Sequence, residues 1–438
     1  ASDVYKRQTL DALSFGRAVD DSHGTLIYLD RDEPKLPRLF VVSVGNIDPY
    51  DANPKEDHLD RSDVSPIEDP SQAWNAISVG AYAETDYIDP SEKAFTGYSP
   101  VAAKGDLSPV SRTGVIWESG APIKPDVVES GGNWAVDPGY SMMDTPKSMQ
   151  QLTTKYSAYE SGDFTTTSDT SAATAKVAAI AADIMATYPD YSLETVRGLV
   201  IHSARWTDRM LRVLDQEKNR GERAQLVRRY GMGVPSLERA LYSARNSLNL
   251  IDEASIKPFN GQGKFSEINW HQLPWPREML LALGAETVRM RVTLSYFIEP
   301  NPSERGWKGQ FAYQSHGLRF DVKRPYETRS DFHARLNKAE RGEEYYNSGT
   351  ADKSWYLGIK QRNKGSVHSD IWEGVGADLA EMGEIAVYPV SGWWKESKYD
   401  QSKLGVDYSL IISLETDASV DLWTPIQTQI ENAIELQT

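Results

Sequence analysis

The chain has 438 residues, 39% of them hydrophobic and 25% charged, which is ordinary for a folded globular protein and long enough for two cores. Its 47 basic and 63 acidic residues leave a net charge of −16, which argues against nucleic acid and against an anionic membrane as partners. It has no cysteine, which excludes a disulfide framework and a thiolate metal site, and no run is apolar for long enough to span a bilayer.

In chain order, residues 10–18 read as the end of a helix and 20–37 as a polar loop. The β-branched run 38–46 stops at Gly45-Asn46, which predicts a buried strand ending in a turn. His58 lies among Glu56, Asp57, Asp60 and Asp63. That spacing follows no ligand loop, so it reads as a solvated acidic loop and no metal is expected. Pro189 closes one helical pattern, and Ser192 is a natural N-cap for the next, over 193–204.

From about residue 246 the texture changes. The segments 287–297, 317–322, 384–390 and 408–414 alternate or run apolar between polar loops, which predicts an antiparallel β-sandwich. The charged segment 324–346 reads as a solvated, helical connection. Trp372, Trp393 and Trp394 fit a core or interface better than an exposed binding platform. No nucleophile–base pattern is evident in this half, and bracing its neighbour or presenting a substrate would be its role.

The chain is organised around 165–180, where a run of small hydroxylated residues reaches Ser171 and turns into an alanine-rich helix. Val177, Ile180, Ala181 and Ile184 recur at helical spacing, and a helix so thin can sink into a core. Ser171 is open to two readings: an N-cap, or a nucleophile placed where free N–H groups stabilise an oxyanion.

The segment resembles the nucleophile segment of the subtilisin-like serine peptidases, Gly-Thr-Ser-x-Ala-x-Pro. Thr170, Ser171 and Ala173 match it; Asp169 stands in place of its glycine and Ala175 in place of its proline. Other segments follow in that family's order. Val44-Gly45-Asn46 is similar to its oxyanion strand, and residues 70–81 to its next strand. Phe95–Ser99 and Ser108–Ser111 are similar to its Phe-Ser strand region, Lys124-Pro125-Asp126-Val127 to its Lys-Pro-Asp-Val turn, and Tyr230-Gly231-Met232-Gly233 to its closing turn. The resemblance implies an α/β fold with a mainly parallel sheet and helices on both faces over residues 9–245, incomplete at the N-terminus. An accessory β-sandwich would occupy 246–438.

For function, the resemblance implies a serine endopeptidase working through an acyl-enzyme, without a cofactor, on a peptide or protein substrate. Ser171 would be the nucleophile, Asn46 an oxyanion donor, and Ser43, Val44 and Gly45 the floor of the substrate pocket. A histidine and an aspartate must then activate the serine. His23-Gly24-Thr25 spells the family's histidine tripeptide, but only 46 − 23 = 23 residues separate it from Asn46. The family places two helices and a strand in that gap, so the base is expected upstream instead. Residues 1–8, Ala-Ser-Asp-Val-Tyr-Lys-Arg-Gln, resemble the translation of a sequencing-library adapter, which agrees with a gene cut short of its triad. The fragment alone would then be inactive. The alternative is a dead peptidase fold that binds a peptide or partner, favoured by Asp169 in the glycine position. Related subtilases with β-domains are encoded beside a partner ATPase inside bacterial cells. The acidic, cysteine-free composition permits that setting and leans slightly to the cytoplasm over secretion.

Overall fold

The computed structural model describes residues 2–20, 27–28, 36–118, 120–156, 162–217, 219–242, 247–302, 312–340, 353–396 and 405–417. His23 lies outside them. The principal elements of the earlier part are α1 (Ser2–Ser14), β1 (Val41–Ser43), α2 (His58–Asp63), β2 (Ile77–Tyr82), β3 (Val127–Ser130), β4 (Gln151–Thr154), β5 (Phe164–Thr167), α3 (Asp169–Thr187), α4 (Leu193–Ser203) and α5 (Arg220–Tyr230). Those of the later part are β6 (Ser247–Ile256), β7 (Asn269–Gln272), β8 (Thr287–Tyr296), β9 (Gly317–Val322), α6 (Arg329–Glu340), β10 (Val367–Val375), β11 (Glu384–Val390) and β12 (Val406–Thr416). Two compact units divide the chain: residues 1–10, 38–190 and 203–240 form one, and residues 11–37, 191–202 and 241–438 the other.

The first unit is built on a parallel sheet in the order β1-β2-β3, with Val41 opposite Ile77 and Val79 opposite Val127. Helix α3 packs on all three strands through Ala173, Val177, Ala181 and Ile184. Its alanines allow that close approach, and it ends where Tyr188 leaves the helical conformation before Pro189. The expectation that α3 sinks into the core holds for one face only. Ser171, Ala175, Ala179, Ala182 and Met185 are exposed.

The Lys-Pro-Asp segment turns out to be a structural staple. Lys124 and Asp126 form a buried ion pair at 2.6 Å, and Asp126 Oδ2 accepts from Ser78 N–H at 2.7 Å and from its hydroxyl at 2.9 Å. Lys124 also donates to Ala76 O at 2.8 Å, so the start of β3 is tied to β2. The closing turn lies on the same segment: Met232 N–H donates to Asp126 O and Val128 N–H to Gly233 O. Gly231 has φ 56°, and a Cβ there would stand 2.4 Å from Asp126 O. Gly231→Ala is therefore expected to destabilise this unit by about 2–3 kcal/mol, combining backbone strain with a contact the backbone cannot yield. Urea unfolding checks it, and an unchanged midpoint would refute the constraint.

Residues 56–63, read from sequence as a loop, contain α2, capped by Asp57, whose carboxylate accepts from Leu59 and Asp60 N–H. His58 is buried there, and burial lowers its pKa. Among the described residues no group of three or more His, Asp or Glu is arranged to hold a metal.

The second unit contains two antiparallel sheets, β6-β12-β8-β10 and β7-β11-β9. Strand β9 spans the predicted residues, β11 likewise, and β8 and β12 differ by one or two at their ends. Helix α6 forms inside the charged segment and buries Phe332 and Leu336 against Ala386 and Tyr388. Trp372 and Trp394 are buried, in keeping with a core role. Arg362 joins the sheets: it pairs with Asp370 on β10 at 3.4 Å, donates to Phe320 O on β9 at 3.1 Å, and lies over the Phe320 ring. Ser192 caps α4 by accepting from Thr195 N–H at 3.3 Å, as expected. Arg197 of that helix is buried and donates to Ser295 Oγ, Ser366 Oγ and Tyr296 O. His202 is structural, with Nδ1 at 2.8 Å from Thr293 Oγ1.

Glu194, in the first turn of α4, is half-buried, and desolvation raises its pKa from 4.5 to about 7 against the lowering effect of Arg197. A raised carboxyl favours the folded state only while protonated. Stability is thus greatest below the unfolded value near 4.5 and is lost as pH rises through about 7. Glu194→Gln should raise the melting temperature at pH 8 and leave it unchanged near pH 4, as thermal scans at both pH values would show. An equal effect at both would mean that the charge is not the cause.

Candidate active site

Beyond β1 the chain stays pinned. Val44 N–H donates to Val79 O at 3.1 Å, Glu68 N–H donates to Val44 O, and Ile47 N–H to Val110 O at 2.8 Å. Gly45 turns the backbone at φ 92°, where a side chain would be strained, and Asn46 bridges to Ser111. Ser43 and Gly45 are half-buried and Val44 is buried, so the three residues read as a pocket floor form a fixed strip.

Asn46 reaches across 124 positions of sequence to the start of α3. Its Oδ1 accepts from Thr170 N–H at 3.1 Å and from the Thr170 hydroxyl at 2.6 Å. A backbone N–H can only donate, so the oxygen must face Thr170 and the amide N–H2 must face away. Asn46 is exposed, and no described residue accepts from that N–H2. The amide is held by its oxygen and presents its donors outward.

The N-cap of α3 is Ser168, which corrects the reading of Ser171 as a cap. Ser171 is the third residue of the helix and is exposed. The first N–H groups of a helix lack intrahelical partners. Those of Asp169 and Thr170 are taken by Gly131 O at 2.7 Å and by Asn46; that of Ser171 has no acceptor among the described residues. An unpartnered N–H at the positive end of the helix dipole thus accompanies the hydroxyl. Asp169 adopts φ 72°, the left-handed conformation expected of the glycine it replaces and one that aspartate tolerates at modest cost. Burial raises its pKa, Asp48 adds to the rise, and a hydrogen bond from Ser168 at 3.0 Å opposes it.

A family model of the subtilases, the subtilisin-like peptidases, matches residues 8–233, just over half of the chain. The chain belongs to the subtilase family. It is also similar to an uncharacterized protein, y4bN, of Sinorhizobium fredii (strain NBRC 101917 / NGR234), at 27% identity over 353 residues that cover 74% of this chain and 77% of that protein. The α/β fold with its parallel sheet is that of a subtilase, and the family makes the chain a serine peptidase in general terms.

Sequence reasoning brought Asn46 and Ser171 forward separately, but it missed what joins them. Thr170 appeared only as a motif match; its N–H and hydroxyl orient the Asn46 amide. Arg112 and Glu68 were not singled out at all. Arg112 Nε donates to Asn46 O at 3.0 Å and its Nη2 pairs with Glu68 at 2.9 Å. No local pattern marks such contacts, because they join loops that are distant in sequence.

Proposed function

We propose that this subtilase is a serine endopeptidase in which Ser171 is the nucleophile and Asn46 supplies half of the oxyanion site. The observation that carries the reading is the pairing of two outward donors, the Asn46 amide and the Ser171 N–H, at the N-terminus of α3. Ser171 Oγ attacks the peptide carbonyl carbon, and a histidine takes its proton. The tetrahedral oxyanion is held by both donors and collapses to an acyl-enzyme, releasing the amine. Water then completes hydrolysis.

The histidine and its aspartate are assigned to chain upstream of Thr9, on the order of segments in the family that the chain resembles. Two features support a covering segment there. The exposed face of α3 carries Ala175, Ala179, Ala182, Met185 and Ala186 with Asp183 as its one fully exposed charge, and β1 ends the sheet as an edge without a partner among the described residues. Residues 246–438 act as an accessory domain that braces the catalytic one or presents substrate. The rival reading, a dead binding fold, rests on Asp169, which holds the left-handed backbone that favours glycine, at a cost modest for an aspartate. The test is to express the reading frame with its native upstream sequence and compare casein hydrolysis with that of residues 9–438. Activity in the longer protein alone is the expected result. No activity in either supports the binding fold, and activity in the shorter chain refutes the upstream assignment.

A further inference from the structure

The strip Ser43–Gly45 carries a charged pair that no motif accounts for. Gly45 lies so close to Glu68 that a Cβ on it would stand 2.7 Å from Glu68 Oε2 and 3.1 Å from Arg112 Cδ. The Glu68 carboxylate therefore rests on the strip itself. Its two oxygens are in different situations. Oε1 pairs with Arg112 Nη2 at 2.9 Å, whereas no described residue donates to Oε2. Arg112 is committed elsewhere as well: Nε donates to Asn46 O at 3.0 Å and Nη1 to Pro66 O at 3.4 Å. The Glu68 side chain is 56% exposed and that of Arg112 is 25% exposed. The group of the pair left open to a newcomer is thus an acceptor with negative charge.

We infer that Glu68 makes this pocket selective for a basic side chain, lysine or arginine, in the substrate residue whose carbonyl Ser171 attacks. The inference rests on the proposed site, since it takes Ser43–Gly45 as the pocket floor. An ammonium or guanidinium over Gly45 completes the coordination of Oε2 by a charge-assisted hydrogen bond. A carboxylate there meets Oε2 directly and cannot recruit Arg112, whose donors hold the Asn46 turn. An apolar side chain leaves Oε2 to water and loses nothing specific. Because Glu68 is half exposed and already has one cationic partner, the preference is modest, about fivefold in affinity over an apolar residue. Arg112 has a separate, positioning part through Asn46 O.

The test is fluorescence anisotropy with a matched peptide series carrying lysine, arginine, leucine or glutamate at one position, at low and high salt, on the 438-residue chain. Lysine and arginine peptides should bind about fivefold more tightly than leucine, with glutamate weakest and the spread shrinking in salt. Glu68→Gln should abolish the spread without changing the leucine peptide, and Glu68→Lys should reverse it. Equal binding of all four peptides, or a preference that survives Glu68→Gln, overturns the inference while leaving the peptide site intact. The same series is run on the protein with its native upstream sequence: no binding of any peptide to a protein that hydrolyses casein overturns the inference and leaves the site reading, whereas no binding and no hydrolysis overturn both.

Discussion

Ser171→Ala is expected to abolish peptide hydrolysis, by at least about 10⁴-fold, in the protein that carries its complete catalytic set. The same change should leave stability within about 0.5 kcal/mol, because the side chain is exposed and supports no hydrogen bond among the described residues. The two halves of this expectation work together. Had Ser171 been the N-cap, alanine would cost about 1 kcal/mol and weaken the helix start. Ser168 holds that position instead. Turnover by active-site titration and melting by circular dichroism separate the roles. Hydrolysis surviving in Ser171→Ala would place the nucleophile elsewhere in the chain.

The second large effect concerns Asn46. Its amide oxygen serves the fold by accepting from Thr170, and its amide nitrogen is the group assigned to the reaction. Asn46→Asp divides these functions. An aspartate keeps an acceptor for both Thr170 donors, and a negative charge at the N-terminus of α3 is favourable to the helix. It removes the N–H donors and puts an anion where negative charge must develop. The expected outcome is a loss of kcat of about 10²–10³-fold or more with KM little changed and the melting temperature retained. A fall of less than tenfold, with α3 intact, would mean that Asn46 is a cap and not an oxyanion donor. Thr170→Val should act in the same direction more weakly, because it frees the amide to rotate while the Thr170 N–H remains.

How legible the site was from residues alone differs from one group to the next. The Ser171 helix was visible because alanines and apolar residues recur with helical period, and the strand before Asn46 because a β-branched run stops at Gly-Asn. Strands β9 and β11 were visible for a similar reason. Strands β6 and β10 were not. β10 buries His368, Ser369 and Asp370, so the contrast between inner and outer residues that marks a strand is lost. These polar groups become admissible only once partners exist: Asp370 accepts from Leu357 and Gly358 N–H and pairs with Arg362. The short helix at His58–Asp63 was hidden by the charges on its outer face.

The sequence by itself determined the order of the segments, the conformation of those runs that carry a clear period or turn signal, and the kind of chemistry a serine at a helix start can do. Those depend on local periodicity and on turn residues, which act over a few positions. The tertiary structure alone decided which groups meet: the Asn46 amide oriented by Thr170, the Lys124–Asp126 staple under the closing turn, and Glu68 laid on Gly45 beside Arg112. Each of these joins separate segments of the first unit through hydrogen bonds or ion pairs, and such contacts leave no periodic trace. Burial decided the rest. The same serine could cap a helix or stand exposed in its first turn, and only the packing of α3 on β1, β2 and β3 selects the second.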